Sequence, residues 1–213
     1  MHVVLDWDGT VTDGDTLHVA IEQFGDRDVF IEMESEIGRR LTLREVIAVE
    51  MATIGAPLEE VVAFLAENIA LRPGFSELVA CWNPTVVSMG FHELIEPLLA
   101  RDGIEVQLVA NRLDPRPDGW HAIFRQQETC DVCGEPCKRS DVAGLDGLVY
   151  VGDGFSDRCV ALAADRVFAR DGLATYLDAQ GAAYEPFDDF YGVAAALAGG
   201  ADVPPTRSRG RKT

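Results

Sequence analysis

Two carboxylates one residue apart, Asp6 and Asp8, close the apolar run Val3-Val4-Leu5 and are followed by Gly9 and the hydroxyl of Thr10. The pair alone decides little, because Asp-x-Asp-Gly-Thr also occurs in turns and calcium loops. A second apolar run, residues 147–151, ends in acid as well: Gly152-Asp153-Gly154-Phe155-Ser156-Asp157. Four like charges at one sheet edge repel by about 4 kcal/mol per close pair at intermediate dielectric, and so require a cation. Hard oxygen ligands, few in number and beside a phosphate, suit Mg²⁺, which keeps several waters and shares its other positions with substrate.

The elements that must position these groups follow from the pattern. Val3 to Leu5 reads as a parallel strand buried on both faces, and in an open α/β sheet ligands sit outside the carboxyl ends of the strands. Residues 13–71 carry helical periodicity over 17–24, 29–37, 43–54 and 58–70, with Thr42 and Glu45 spaced as a capping box. Lacking any strand pattern, this stretch forms either a helical cap over the crevice or a helical layer of the core. Arg72-Pro73-Gly74 returns the chain to the sheet. There follow a helix over 75–82, closed by Asn83-Pro84, a strand over 85–90, a helix over 91–101 and a strand over 105–110. Residues 111–127 read as an irregular or hairpin insert at the sheet edge. After Asp157 come a helix over 158–164, an edge strand over 166–169, a helix over 172–180 and a closing segment over 185–197. The predicted class is α/β, a doubly wound, mainly parallel sheet with a small helical cap after the first strand. The tail, 199–213, is basic and too poor in apolar residues to order itself.

Composition sets limits. A chain of 213 residues with 47% hydrophobic residues is one medium domain with an insert. Its formal charge of −18 argues against nucleic acid and anionic membranes as partners. No leader precedes Asp6 and no run approaches the roughly 20 apolar residues of a membrane span, so the expectation is a cytoplasmic monomer or homodimer. Five cysteines, an odd number, fit a reducing compartment. Of the 18 lysines and arginines only Lys138 and Lys212 are lysines, which makes a lysine inside the folded part conspicuous.

Asp6-Trp7-Asp8-Gly9-Thr10, a strand ending at Ser88, Lys138, and Gly152-Asp153-Gly154-Phe155-Ser156-Asp157 resemble the four ordered motifs of the haloacid dehalogenase superfamily, phosphatase branch, over residues 1–198. The resemblance implies a Rossmann-like core of residues 1–12 and 72–198, a cap of residues 13–71, and hydrolysis of a small phosphorylated metabolite through an aspartyl phosphate. It makes Asp6 the nucleophile, Asp8 the general acid and then the base, and Lys138 a catalytic and phosphate-binding cation. Mg²⁺ is then held by Asp6, the backbone carbonyl of Asp8, Asp153 and Asp157, and the phosphoryl group lies among Thr10, Ser88, Met89, Gly90 and Lys138. Ser88 at a strand-to-helix junction suits a phosphate oxygen, although a serine there also serves as a simple cap.

Within that superfamily the helical insert and the fourth motif resemble the phosphoserine-phosphatase-like branch. The cysteine-rich run before Lys138, with Val167-Phe168-Ala169-Arg170-Asp171 and Tyr184-Glu185-Pro186-Phe187-Asp188-Asp189-Phe190, is most similar to phosphatases of the methionine-salvage enol phosphate, 2-hydroxy-3-keto-5-methylthiopentenyl-1-phosphate. The pattern departs from phosphoserine phosphatases at Asp15, where those carry Glu, and around Lys138, flanked by Cys137 and Arg139. It departs from the methionine-salvage pattern at Trp7 and Met89. Phosphoserine phosphatase is the alternative, and a catalytically silent binding module on the same fold is the alternative of another class; filled catalytic positions argue against the latter.

Cys130, Cys133 and Cys137 are spaced Cys-x-x-Cys-Gly-x-x-Cys. This is compatible with three thiolates around a structural Zn²⁺, with His121 or Asp131 as fourth ligand, or with reduced cysteines packing an irregular loop. Cys81 and Cys159 read as buried fillers. His18, His92 and His121 have no metal-ligand spacing, and Trp7, Trp82 and Trp120 read as anchors of the core or the insert.

Overall fold

A computed structural model describes residues 1–199; the basic tail read from the sequence lies outside the described residues, save its first position. Seven strands form one sheet in the order β4-β3-β2-β1-β5-β6-β7. They are β1 His2–Leu5, β2 Thr85–Phe91, β3 Gln107–Asp114, β4 His121–Ile123, β5 Leu148–Gly152, β6 Arg166–Ala169 and β7 Glu185–Pro186. All neighbours are parallel except β3 and β4, which make an antiparallel hairpin of the expected insert.

Strand β1 lies at the centre because it can be buried on both faces. Val3 and Leu5 face one core and Val4 the other, the period-2 alternation of a strand. The first core takes in α5 Phe75–Trp82, α6 His92–Arg101 and α9 Phe190–Ala198; the second packs α7 Arg158–Ala161 and α8 Asp171–Gln180 against Val4 and Tyr150. Leu5 is in register with Val86 on one side and Val151 on the other. The carboxyl ends of β1, β2 and β5 therefore meet, and with them Asp6, Ser88 and Asp153.

Between β1 and α5 stand four helices, α1 Thr16–Phe24, α2 Arg27–Glu34, α3 Leu43–Met51 and α4 Leu58–Asn68. Thr42 and Glu45 form the reciprocal capping box at the start of α3. Its Val46, Ile47 and Met51 are buried. Trp120 in the hairpin ties this helix to the sheet: its backbone N–H reaches the carbonyls of Met51 and Ile54 and its Nε1 donates to Ala56 O at 3.0 Å.

Two sequence expectations change. Strand β2 takes in Phe91, one residue beyond the expected 85–90, but its pairing with β3 breaks after Val87 and resumes at Phe91. The irregularity arises where Ser88 Oγ accepts the Gly90 N–H at 2.8 Å, a local bond that competes with the ladder and turns residues 88–90 toward the sheet end. Cys81 is exposed on α5 and fills no core, because the buried side of that short helix is taken by Phe75 and Leu78. Among the described residues no helix is long and apolar enough to cross a membrane.

Candidate active site

Asp6 follows the last residue of β1 and is 4% exposed. Its Oδ1 accepts the Trp7 N–H at 2.6 Å and the Lys138 ammonium at 2.5 Å. Lys138 is 1% exposed and also donates to Asp157 Oδ1 at 2.7 Å. Asp157 accepts at both oxygens: Oδ1 takes Lys138, the Tyr150 hydroxyl at 2.6 Å and the Ser156 hydroxyl, while Oδ2 takes the N–H groups of Asp153 and Gly154. Asp153 accepts the Thr10 hydroxyl at 2.6 Å.

Oxygens of Asp6, Asp153 and Asp157 all lie within 4.8 Å of one another. Such crowding shows in their protonation. Burial, then the charges of Asp157 and Asp153, push the Asp6 carboxyl well above the usual range against the pull of Lys138. Burial and Asp157 bring Asp153 up to about 6. Burial works against the ionised Asp157 too, but Lys138, the Gly154 amide and Tyr150 hold its carboxyl low. Lys138 keeps its proton because Asp157 and Asp6 outweigh burial. One ammonium cannot neutralise three carboxylates, and the donor set is all hard oxygen, so the residues fit Mg²⁺. Asp157 is already bound at both oxygens, which suits contact with a metal through water.

Gly9 makes the loop possible. It has φ +71, and a Cβ there would collide with Asp153 Oδ2. The loop turns Asp8 toward α1, where Oδ1 accepts the N–H of Thr16 at 2.8 Å and its hydroxyl. Burial and the nearby charge of Asp15 raise the Asp8 carboxyl to about 7, with the Thr16 bonds opposing. Ser88 Oγ lies 3.5 Å from Asp8 Oδ2. Thus Asp6, Asp8, Thr10, Ser88, Lys138, Asp153 and Asp157 converge, and Met89 and Gly90 line the same crevice.

That crevice, a cavity of about 250 Å³, continues under the helices between β1 and α5, where sequence reasoning found no site residues. Glu50 on α3 lines it at 2% exposure, its Oε1 without a partner. Burial, with Glu34 and Asp15 adding, raises Glu50 to about 8 against the pull of His18. His18 on α1 lies 3.6 Å from Asp15 and 3.7 Å from Glu34. Burial opposes its charge, but Glu34 and Asp15 raise it to about 9. The signal for Glu50 was in the chain, a carboxylate on the apolar stripe of Val46, Ile47 and Met51; His18 and Tyr150 carried none.

Arg125 and Arg72 were also missed. Arg125 binds the carbonyl of Ser88 at 2.9 Å and pairs with Asp141, bracing β2 against the loop that bears Lys138. Arg72 donates to the carbonyls of Gly9, Thr10 and Thr12. The cysteine run lies next to the site, and its fourth close neighbour is the buried thiol of Cys159; His121 and Asp131 are not in that group.

The chain is similar to known phosphatases in sequence and to solved structures in fold. The curated 2-hydroxy-3-keto-5-methylthiopentenyl-1-phosphate phosphatase of Exiguobacterium sp. is 27% identical, over 93% of this chain and 97% of its own. That of Bacillus mycoides is 28% identical, over 92% and 95%. A solved phospho-aspartyl intermediate analogue of phosphoserine phosphatase superposes with a TM-score of 0.66 over 91% of this chain and 97% of its own, at 18% identity. A substrate-bound phosphoserine phosphatase complex does so with a TM-score of 0.67 over 91% and 96%, at 16% identity, and both likenesses concern the fold. The family model of haloacid dehalogenase-like hydrolases matches residues 3–162, and the chain belongs to that family.

Proposed function

We propose that the chain is a Mg²⁺-dependent phosphomonoester hydrolase that works through a phosphorylated Asp6 and acts on an uncharged-tailed metabolite of the methionine-salvage enol phosphate type. The observation that carries the reading is the pairing of Asp6 with Lys138 beside Asp153 and Asp157, next to an Asp8 carboxyl raised to about 7. Residues 13–71 serve in this reading as the cap, residues 1–12 and 72–198 as the catalytic core, and the cytoplasm is the place of work.

The residues divide the chemistry as follows. An Asp6 oxygen forms a bond to phosphorus while the ester P–O bond breaks, and Asp8 gives its proton to the departing oxygen. Asp8 then takes a proton from the water that attacks phosphorus, the Asp6–phosphorus bond breaks, and inorganic phosphate leaves. Asp6, the Asp8 backbone carbonyl, Asp153 and Asp157, directly or through water, would hold Mg²⁺, which would supply positive charge to the phosphoryl oxygens. Lys138 adds a compact charge from the other side, with Ser88, Met89 and Gly90 at the sheet end for the remaining oxygens. Thr10 holds Asp153 in place.

The substrate end of the crevice separates the two candidate substrates. Phosphoserine bears a carboxylate that needs a cation, yet the residues lining this cavity include no lysine or arginine, and His18 is already matched by Asp15 and Glu34. The enol phosphate bears a hydroxyl, a ketone and a methylthio tail. Leu17, Ile37, Leu43, Ile47 and Met89 offer an apolar lining for the tail, and a protonated Glu50 offers a hydrogen bond. The test is phosphate release from both compounds and from a generic aryl phosphate, with and without Mg²⁺. Turnover of the enol phosphate well above that of phosphoserine is expected. Preference for phosphoserine overturns the substrate assignment, and no Mg²⁺-dependent release from any ester supports the silent binding module.

A further inference from the structure

The loop that delivers Lys138 has almost no core of its own. Between residues 125 and 147 only Cys130, Lys138 and Val142 are buried. Its regular bonding is all local: before Lys138 the Thr129–Pro136 bridge, Cys130 N–H to the Glu135 carbonyl at 3.0 Å and Gly134 N–H to the Cys130 carbonyl at 2.8 Å, and after it a single 3-10 turn over Ser140–Val142. A buried ammonium nevertheless has to be held between two carboxylates; Arg125 and Gln127 fix the loop from one side through Asp141 and the Cys137 carbonyl, and the cysteines lie on the stretch before Lys138.

The sulfurs of Cys130, Cys133, Cys137 and Cys159 all lie within 4.8 Å of one another. All four are free thiols. Three come from the loop, and Cys159 comes from the start of α7, two residues after Asp157. A tetrahedron of four sulfurs around one ion at about 2.3 Å has sulfur–sulfur edges of about 3.8 Å, a spacing this group reaches with small shifts. The turn is built for it as well. The Val132 N–H points at Cys130 Sγ at 3.4 Å, and Gly134, directly after Cys133, takes φ +75, which lets the chain double back between the second and third sulfur. Arg158 lines the same cavity as Cys133, Cys137 and Cys159, its guanidinium over the rings of Phe155 and Tyr176 and its Nε buried without a partner.

We propose that Cys130, Cys133, Cys137 and Cys159 hold one structural Zn²⁺ that tethers the Lys138 loop to the start of α7. Four soft sulfurs and no open position define a closed site, which excludes direct chemistry on substrate. Cys137 adjoins Lys138 and Cys159 follows closely on Asp157, so the ion fixes both ends of the Lys138–Asp157 pair. The fourth ligand is the cysteine most distant in sequence, which explains why the three-cysteine run by itself resembles half a zinc motif.

The experiment is metal analysis and X-ray absorption at the zinc edge on full-length protein purified without added metal, with Co²⁺ substitution as a second arm. About one zinc per chain with four sulfur neighbours at about 2.3 Å is expected, as is the visible absorption of tetrahedral thiolate-bound Co²⁺. Cys159→Ser should shift that Co²⁺ spectrum toward three sulfurs, and zinc removal should speed amide exchange over residues 129–142 more than in β1 and β5. Folded protein with no stoichiometric zinc and no thiolate–Co²⁺ band overturns the proposal, as does a single bound iron or a spectrum unchanged in Cys159→Ser. These readouts do not depend on phosphatase activity, so they stand apart from the substrate assignment.

Discussion

Asp6 and Lys138 are 132 residues apart in the sequence and 2.5 Å apart in the structure, both almost wholly buried. The contact joins the end of the central strand to a loop that contributes little else to the core. It sets the charge of the site: without Lys138, Asp6 and Asp157 are two buried carboxylates with no cation between them.

Lys138→Ala should therefore cost stability as well as activity. Removing one partner of a buried ion pair costs about 3–5 kcal/mol, because the remaining charges are left unpaired. Urea unfolding in the absence of divalent metal should show a loss of this size, reduced when Mg²⁺ is added. Lys138→Arg should not restore turnover, since a planar fork does not fit where an ammonium touches two carboxylates. A surface role for Lys138 predicts unchanged unfolding in both buffers.

Asp6→Asn should reduce turnover to below about a thousandth of wild type while the circular dichroism spectrum stays the same. The amide is nearly isosteric, and its oxygen can still accept the Trp7 N–H and Lys138. Single-turnover assays with labelled ester should leave no label on the Asp6→Asn variant. Residual activity above that level contradicts covalent catalysis by Asp6.

The pH dependence should report Asp8. With its carboxyl raised to about 7, Asp8 is protonated below that pH and loses its proton above it, so hydrolysis of esters with poor leaving groups should decline as pH rises through about 7. The charge of Asp15 is the second cause of that rise, after burial. Asp15→Asn keeps an oxygen to cap α1, removes the charge, lowers the Asp8 pKa and moves the alkaline limb to lower pH. An aryl phosphate with a good leaving group needs less help from the acid and should show a weaker limb. An unmoved limb in the variant rules out Asp8 as its origin.

Glu50 should weaken the fold as pH rises. Its carboxyl titrates near 4.5 when unfolded and at about 8 when folded, so between these values the folded chain holds a proton that the unfolded chain has lost. Stability then falls with rising pH across this window and levels off above about 8. Glu50→Gln lacks this term. Its melting temperature should match wild type near pH 4 and exceed it increasingly up to pH 8, and a constant difference across the range would show that Glu50 is ionised in the folded protein.

Much of this molecule was legible in the chain because the signals were local. The Val-Val-Leu run reads as a strand covered on both faces, acid directly after it marks the carboxyl end of that strand, and the resemblance of the ordered motifs assigned Asp6, Asp8, Asp153 and Asp157. Thr42 with Glu45 and the glycine-bearing turn after Asp8 are equally short-range. What the chain could not show was set by packing across long separations. The Leu5 register with both Val86 and Val151 decides which loops meet. Tyr150 on Asp157 and Arg125 on the Ser88 carbonyl are contacts of side chains with no local mark of function. Glu50 and His18 face the crevice only because α1 and α3 fold back over the sheet end, and Cys159 joins three distant thiols only because α7 starts beside the Lys138 loop. Residue type and spacing determined the chemistry available; burial and tertiary contact decided which groups share a site and which protons they keep.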